Sequence, residues 1–142
     1  SARVAPVSRA LGGKGELVCL VEDDPTIRKI AERILQTSGY RVVSGEDGPT
    51  ALERLAAAKT SPGILVTDVV LGAGSGIEVA SAFRLLHPGV PVLYVSGYSR
   101  GLLAGRGLHA PGDDILAKPY SGEELKRRVR QLLDAPSIGA GP

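Results

Sequence analysis

The chain has 142 residues, enough for one domain of ordinary size with a real hydrocarbon core. Apolar residues make up 43% and aromatics 4%, which argues against wholesale disorder and leaves the core to Val, Leu, Ile and Ala. A net charge of +2 without a basic run interleaved with aromatics argues against nucleic acid. A single cysteine allows neither an intrachain disulfide nor a zinc site, and no apolar stretch reaches the length of a membrane span.

Residues 1–15 carry Pro and a Gly pair without a sustained period and read as a flexible linker; residues 135–142 read as a flexible tail. The folded domain is then 16–134. Cys19, inside the first apolar run, reads as a small buried hydrophobe. The lone Cys, with no signal-peptide pattern, leads to the expectation of a cytoplasmic protein.

Strand-like and helix-like patterns then alternate. Residues 17–21, "LVCLV", are an apolar run of strand length that ends against Glu22, Asp23 and Asp24. Asp24-Pro25 makes a helix start, an Asp N-cap with Pro at the first helical position. Ile27, Ile30, Ala31, Ile34 and Leu35 recur at helical spacing, and Gly39 stops the helix. A β-branched strand is predicted at 40–44 and a second helix at 49–58. A third strand, 64–67, ends in Asp68. "SGIE" at 75–78 has capping-box spacing and opens a helix to Leu86, closed by His87-Pro88-Gly89. A fourth strand, 90–95, ends in Ser96. Gly101, Gly105 and Gly107 leave only a weak helix at 100–109. A fifth strand, 114–117, ends in Lys118-Pro119, and "SGEE" at 121–124 opens the last helix with its stripe of Leu125, Val129, Leu132 and Leu133.

Continuous apolar strands imply burial on both faces, and five βα units in a row imply a parallel sheet covered by helices. The expected architecture is α/β, a doubly wound, flavodoxin-like five-stranded sheet of order 2-1-3-4-5. Sites in such sheets lie beyond the carboxyl ends of the strands. Glu22, Asp23, Asp68, Ser96 and Lys118 all fall there. Carboxylates without His or Cys partners suit a hard divalent cation such as Mg²⁺, and a Lys with a hydroxyl suits phosphate oxygens. With no Gly-rich nucleotide cradle after any strand, the phosphoryl acceptor is expected in the protein itself, with Asp68 as nucleophile.

The segments "VEDDPTIR" (21–28), "VTDVVLGAGSG" (66–76), "VLYVSGY" (92–98) and "LAKPY" (116–120) together resemble a response-regulator receiver domain of two-component signalling. The resemblance implies a phosphoacceptor at Asp68 and Mg²⁺ held by Glu22, Asp23, Asp68 and the Val70 backbone carbonyl. It implies a switch hydroxyl at Ser96, a phosphate-pairing Lys118 and a cis Lys118–Pro119 bond. It also implies a histidine kinase or histidine phosphotransfer protein as partner, an unidentified downstream protein, and weak homodimerisation as a further contact. The domain would be no enzyme beyond catalysing its own phosphorylation and dephosphorylation, and would touch neither nucleic acid nor membrane.

The wording of the motifs is closest to receivers attached C-terminally to hybrid histidine kinases. Ile115 departs from the usual Tyr or Phe three residues before the Lys. Gly72 and Gly74 suggest a mobile loop after Asp68. His87 and His109 read as solvated surface residues. Two other readings are weighed. An aspartate-nucleophile phosphohydrolase would need an acid where Val70 stands, and a pseudo-receiver serving only protein contact would have lost one of the acids or Lys118.

Overall fold

The computed structural model describes residues 12–72, 74–97 and 113–135; the predicted helix at 100–109, His109 and most of the two predicted tails lie outside the described residues. The five predicted strands form one parallel sheet: β1 (Leu17–Val21), β2 (Arg41–Gly45), β3 (Ile64–Asp68), β4 (Val92–Ser96) and β5 (Asp114–Ala117). Their order is β2-β1-β3-β4-β5, the predicted doubly wound arrangement. The described helices are α1 (Pro25–Thr37), α2 (Gly48–Ala58), α3 (Gly76–Leu86) and α4 (Gly122–Asp134).

Side-chain alternation along each strand splits the core into two layers. Cys19, Val21, Leu65, Tyr94 and Ile115 pack under α2 and α3, against Ala51, Leu55, Val79 and Phe83. Val18, Leu20, Ile64, Val66, Leu93, Val95 and Leu116 pack under α1 and α4, against Ala31, Leu35, Leu125 and Val129. All five residues of β1, β3 and β4 are buried, so these strands carry no solvent face. Cys19 is fully buried and its thiol is pushed up to about 12 by desolvation, as suits a core hydrophobe.

Helix starts follow the sequence closely. Asp24 accepts from the amides of Thr26 (2.8 Å) and Ile27 (3.2 Å) ahead of Pro25. Asp47 caps α2 through the Thr50 amide at 2.8 Å, and Ser75 caps α3 through the Ile77 amide at 3.0 Å. Ser121 and Glu124 close a reciprocal capping box at α4. In "SGIE" the box is only half made: Ser75 caps the helix, but the cap recorded there lacks the reciprocal Glu78 bond.

Three features were not read from the sequence. Val70–Leu71 and Gly74–Ser75 pair as a short antiparallel hairpin inside the loop expected to be mobile. Two glycines hide this pairing, because they lower strand propensity; Gly74, at φ +146°, occupies a conformation that side chains disfavour. His87, expected to be solvated, is half-buried with its ring 5.0 Å from that of Phe83. Arg130, on the inner side of α4, is 8% exposed. It donates to Glu16 and Asp134 (2.8 Å each), to the Gly12 carbonyl (3.1 Å) and to the Tyr40 hydroxyl (3.4 Å), and lies 6.0 Å from the Tyr40 ring centre. Gly13 and Gly15 donate to the carbonyls of Ser38 and Gly39. Residues 12–15 therefore lie along the end of α1, at the edge of the sheet opposite the strand carboxyl ends.

The Asp24 side chain accepts the two amides of a cap. Asp24→Ala is expected to cost about 1 kcal/mol of unfolding free energy, the usual worth of an N-cap, read as a lower urea midpoint at unchanged slope.

Candidate functional site at the strand carboxyl ends

Strand register decides which residues meet. Val21 pairs with Thr67, Asp68 with Val95, and Ser96 with Ala117. The next residues along, Glu22 on β1 and Lys118 on β5, therefore flank Asp68 and Ser96 across four neighbouring strands. Glu22, Asp68 and Ser96 are buried, at 6%, 6% and 1% exposure.

Asp68 is held at both oxygens. Lys118 Nζ makes a short ion pair with Oδ2, and the Val70 amide donates to Oδ1 at 3.1 Å. The backbone below it is fixed as well. Val69 N–H donates to the Val95 carbonyl at 3.0 Å, Gly76 N–H to the Val69 carbonyl at 2.8 Å, and Thr67 Oγ1 to the Asp68 carbonyl at 3.1 Å. A Cβ at Gly76 would collide with the Asp68 carbonyl, so the first residue of α3 must be glycine for the chain to pass this close.

Glu22 accepts from the Asp24 amide at 3.0 Å, and its own carbonyl accepts from Arg28 at 2.7 Å. Its carboxyl is pushed up to about 7, chiefly by burial, with the charge of Asp68 adding to the effect and Lys118 opposing it. Asp23 is exposed; its Oδ2 accepts from the Gly72 amide at 3.0 Å, which ties the β1 end to the loop after Asp68. Lys118 is raised: its attraction to Asp68 and Glu22 outweighs desolvation, the largest single effect and an opposing one. Its amide donates to the Ser96 carbonyl at 2.8 Å, and the Lys118–Pro119 bond is cis.

The structure thus brings Glu22, Asp68, Ser96 and Lys118 to one rim, with Asp23 beside them. Among the described residues, no three acidic, His or Cys side chains converge on a single point, because Asp23 turns to Gly72 and Asp68 to Lys118. The donor chemistry still fits a hard cation: the set is all oxygen, and two buried carboxyls share one nearby ammonium. Val70 has an exposed side chain, 57% accessible, beside the rim.

Sequence reasoning missed Tyr120, whose half-buried phenol interacts with the charges of Glu22, Lys118 and Asp68 and is raised mainly by burial. Its position two residues after Lys118, following a Pro-directed turn, was the available signal. It also missed Gly72 as a main-chain donor, which only the folded loop reveals.

Comparisons with known proteins agree with this geometry. The family model for the response regulator receiver domain matches residues 18–130. The transcriptional regulatory protein CreB of Escherichia coli K12 is 37% identical over 118 residues, covering 83% of this chain and 51% of CreB. The chain spans about half the length of the curated relatives it matches first. The crystal structure of the receiver domain of the hybrid histidine kinase CckA is 28% identical, with a TM-score of 0.68 over 84% of this chain and 100% of that one. The response regulator TrrA of Thermotoga maritima, solved in complex with Mg²⁺-BeF, is 25% identical, with a TM-score of 0.67 over 82% of this chain and 98% of that one.

The Glu22 shift has a testable sign. A carboxyl with a raised folded pKa favours the fold while protonated, so that advantage is lost as pH rises. In metal-free protein, unfolding free energy is expected to fall between about 4.5, where the unfolded chain ionises, and about 7, where the folded one does. Glu22→Gln should flatten that part of the profile, and urea titrations at several pH values in chelator would show it. An unaltered slope in Glu22→Gln would rule out Glu22 as the source.

Proposed function

The chain belongs to the response-regulator receiver domain family of two-component systems, and we propose that Asp68 is its phosphoacceptor. The observation that carries this reading is the pairing of Asp68 with Lys118 at the rim, with Ser96 on the next strand. Asp68 is buried enough to be shielded yet open at the end of the sheet. Among the described residues its carboxylate is the rim acid paired directly with an ammonium, and Ser96 stands one residue beyond its register partner Val95.

The transfer runs as a displacement. A carboxylate oxygen of Asp68 attacks the phosphorus of a phosphohistidine on a partner kinase or phosphotransfer protein. The P–N bond breaks, its electron pair stays on the imidazole, and an acyl phosphate forms on Asp68. Lys118 then exchanges its bond to Asp68 for one to a phosphoryl oxygen, placing positive charge where negative charge gathers. The Ser96 hydroxyl is placed to donate to another.

Mg²⁺ would be held by Glu22, Asp23, Asp68 and the Val70 carbonyl, and when bound would neutralise these acids and the phosphoryl oxygens. For that, Asp23 would give up the Gly72 amide, and ionisation of Glu22 would become favourable near neutral pH. The TrrA complex supports the same chemistry on a related fold. The domain reads as a signalling module rather than an enzyme with its own substrate: a phosphohydrolase of this type would need an acid at Val70, which is hydrocarbon.

We further propose that the domain operates in the cytoplasm, with residues 16–134 as its body, and that it serves as the receiver of a larger signalling protein. The CckA likeness favours a hybrid kinase, whereas relatives such as CreB favour a transcriptional regulator.

Incubation with acetyl phosphate and Mg²⁺, followed by intact mass measurement, tests the assignment. The expected result is one added phosphoryl group, absent in Asp68→Asn and absent when chelator replaces Mg²⁺. An adduct that survives Asp68→Asn would reject Asp68 as acceptor.

A further inference from the structure

A cavity of about 310 Å³ lies apart from the rim, between α2, α3 and the short hairpin. None of Glu22, Asp23, Asp68, Ser96 or Lys118 lines it. Its floor is hydrocarbon, with Leu71 and Val79 buried and Leu52 beside them. One glycine sets its shape. A Cβ at Gly48 would stand 2.8 Å from Val79 Cγ2, so glycine lets α2 begin directly against α3. About one turn further along each helix the wall is Leu52 and Ala82, and a single methyl leaves the space beside it unfilled. Ligand cavities run from roughly 300 to 1,000 Å³, so this one suits a body of one ring or a short branched chain.

The polar part of the wall has one sign. Asp47 and Glu78 line the cavity, and among the described residues no Lys, Arg or His does. The chain as a whole has a net charge of +2, so this acidity is local. Both acids stand near helix starts, and both starts are capped from within the chain. The Thr50 amide donates to Asp47 at 2.8 Å, and the Ile77 amide to Ser75 at 3.0 Å. An occupant therefore meets carboxylate ahead of bare N–H groups. Arg54, whose charge reaches Asp47, donates to the Ser44 carbonyl at 3.0 Å. Glu78 is exposed and does not close a capping box with Ser75. Its carboxylate lies over the hairpin instead: a Cβ at Gly74 would stand 3.3 Å from Oε1. Within the described residues neither acid has an ion-pair partner.

A hydrocarbon floor below two carboxylates selects one class of occupant. An apolar body gains by leaving water, and an ammonium at its end meets the acids. An alcohol of the same shape loses the second gain, and a carboxylate is repelled.

We propose that this cavity is a binding site for a small organic cation, a primary amine on a one-ring or short branched hydrocarbon body. Occupancy reaches the hairpin, because Leu71 and Gly74 pair with each other and both line the cavity. Gly72, in the turn between them, donates to Asp23 at 3.0 Å, so its amide reports the occupant from outside the cavity. The assignment does not depend on Asp68 being a phosphoacceptor.

Amide resonances of the ¹⁵N-labelled whole chain, titrated with phenethylammonium chloride in chelator at constant ionic strength, test this. Saturable shifts are expected at the lining residues and at Gly72, with a dissociation constant in the millimolar range. The neutral analogue 2-phenylethanol should bind about five-fold more weakly. Glu78→Gln should weaken the amine about three-fold and leave the alcohol unchanged. Ala82→Phe sets a ring into the cavity from an exposed position and should remove binding of both.

Shifts that fail to saturate, equal affinity for amine and alcohol, or binding unaltered in Ala82→Phe overturn the site. Should Ala82→Phe disturb the native spectrum, Glu78→Gln decides: an unchanged affinity for the amine overturns the proposal, and a selective loss upholds it.

Discussion

A parallel sheet covered on both faces leaves its strands one place to put charge, their carboxyl ends. In β1, β3 and β4 every residue is buried, so a carboxylate within them would bear the full cost of desolvation without a partner. Asp68 sits at the last position where this can be met, and it is met by Lys118 arriving from β5, two strands away in the order β3-β4-β5. The ion pair depends on the whole sheet being assembled in register. In turn, it gives the buried acid at the rim, the proposed phosphoacceptor, a cationic partner.

The opposite edge of the molecule carries a second charged network with a different balance. Around Arg130 the guanidinium meets two carboxylates, a carbonyl, a phenol and an aromatic face, and only its Nε lacks a partner. That network neutralises its charge within the protein and fastens residues 12–16 to α4. At the rim, Glu22 and Asp68 are buried with one ammonium close by, and Glu22 responds by holding its proton to about pH 7. The contrast separates structure from function on physical grounds. A balanced buried network needs nothing more, whereas an acidic excess is poised to accept a cation.

The fold was legible because its determinants are local. Apolar runs of five residues, Asp24-Pro25, Ser75 and the "SGEE" box each mark an element within a few positions, and the alternation of strands and helices left one natural sheet order. The rim residues were legible for a related reason: each directly follows or ends an apolar run, so placing the strand places the residue. What stayed hidden depends on folded geometry. Arg130 looks like one more surface cation in "KRRVR" until α4 packs over Tyr40 and Glu16. The Gly72 amide becomes a ligand for Asp23 only when the hairpin closes. Asp113 and Arg84 are 29 residues apart, and nothing in their neighbours' types joins them.

Strand alternation also places the rim residues on both sides of the sheet. Asp68 continues the series Ile64, Val66 and belongs to the layer under α1 and α4, together with Tyr120 and Glu22. Ser96 continues the series Val92, Tyr94 and belongs to the layer under α2 and α3. The two are neighbours at the rim only because their strands are offset by one residue in register, Asp68 opposite Val95. Under the proposed function, a group bonded to Asp68 and drawing on Ser96 would span the sheet edge between two cores that are otherwise separated by β-sheet backbone. A shift in register by a single residue would put both side chains in the same layer and remove that coupling, while leaving the fold's hydrophobic layers inverted along one strand. The same constraint that buries the sheet thus fixes the relation between the Asp68 carboxylate and the Ser96 hydroxyl.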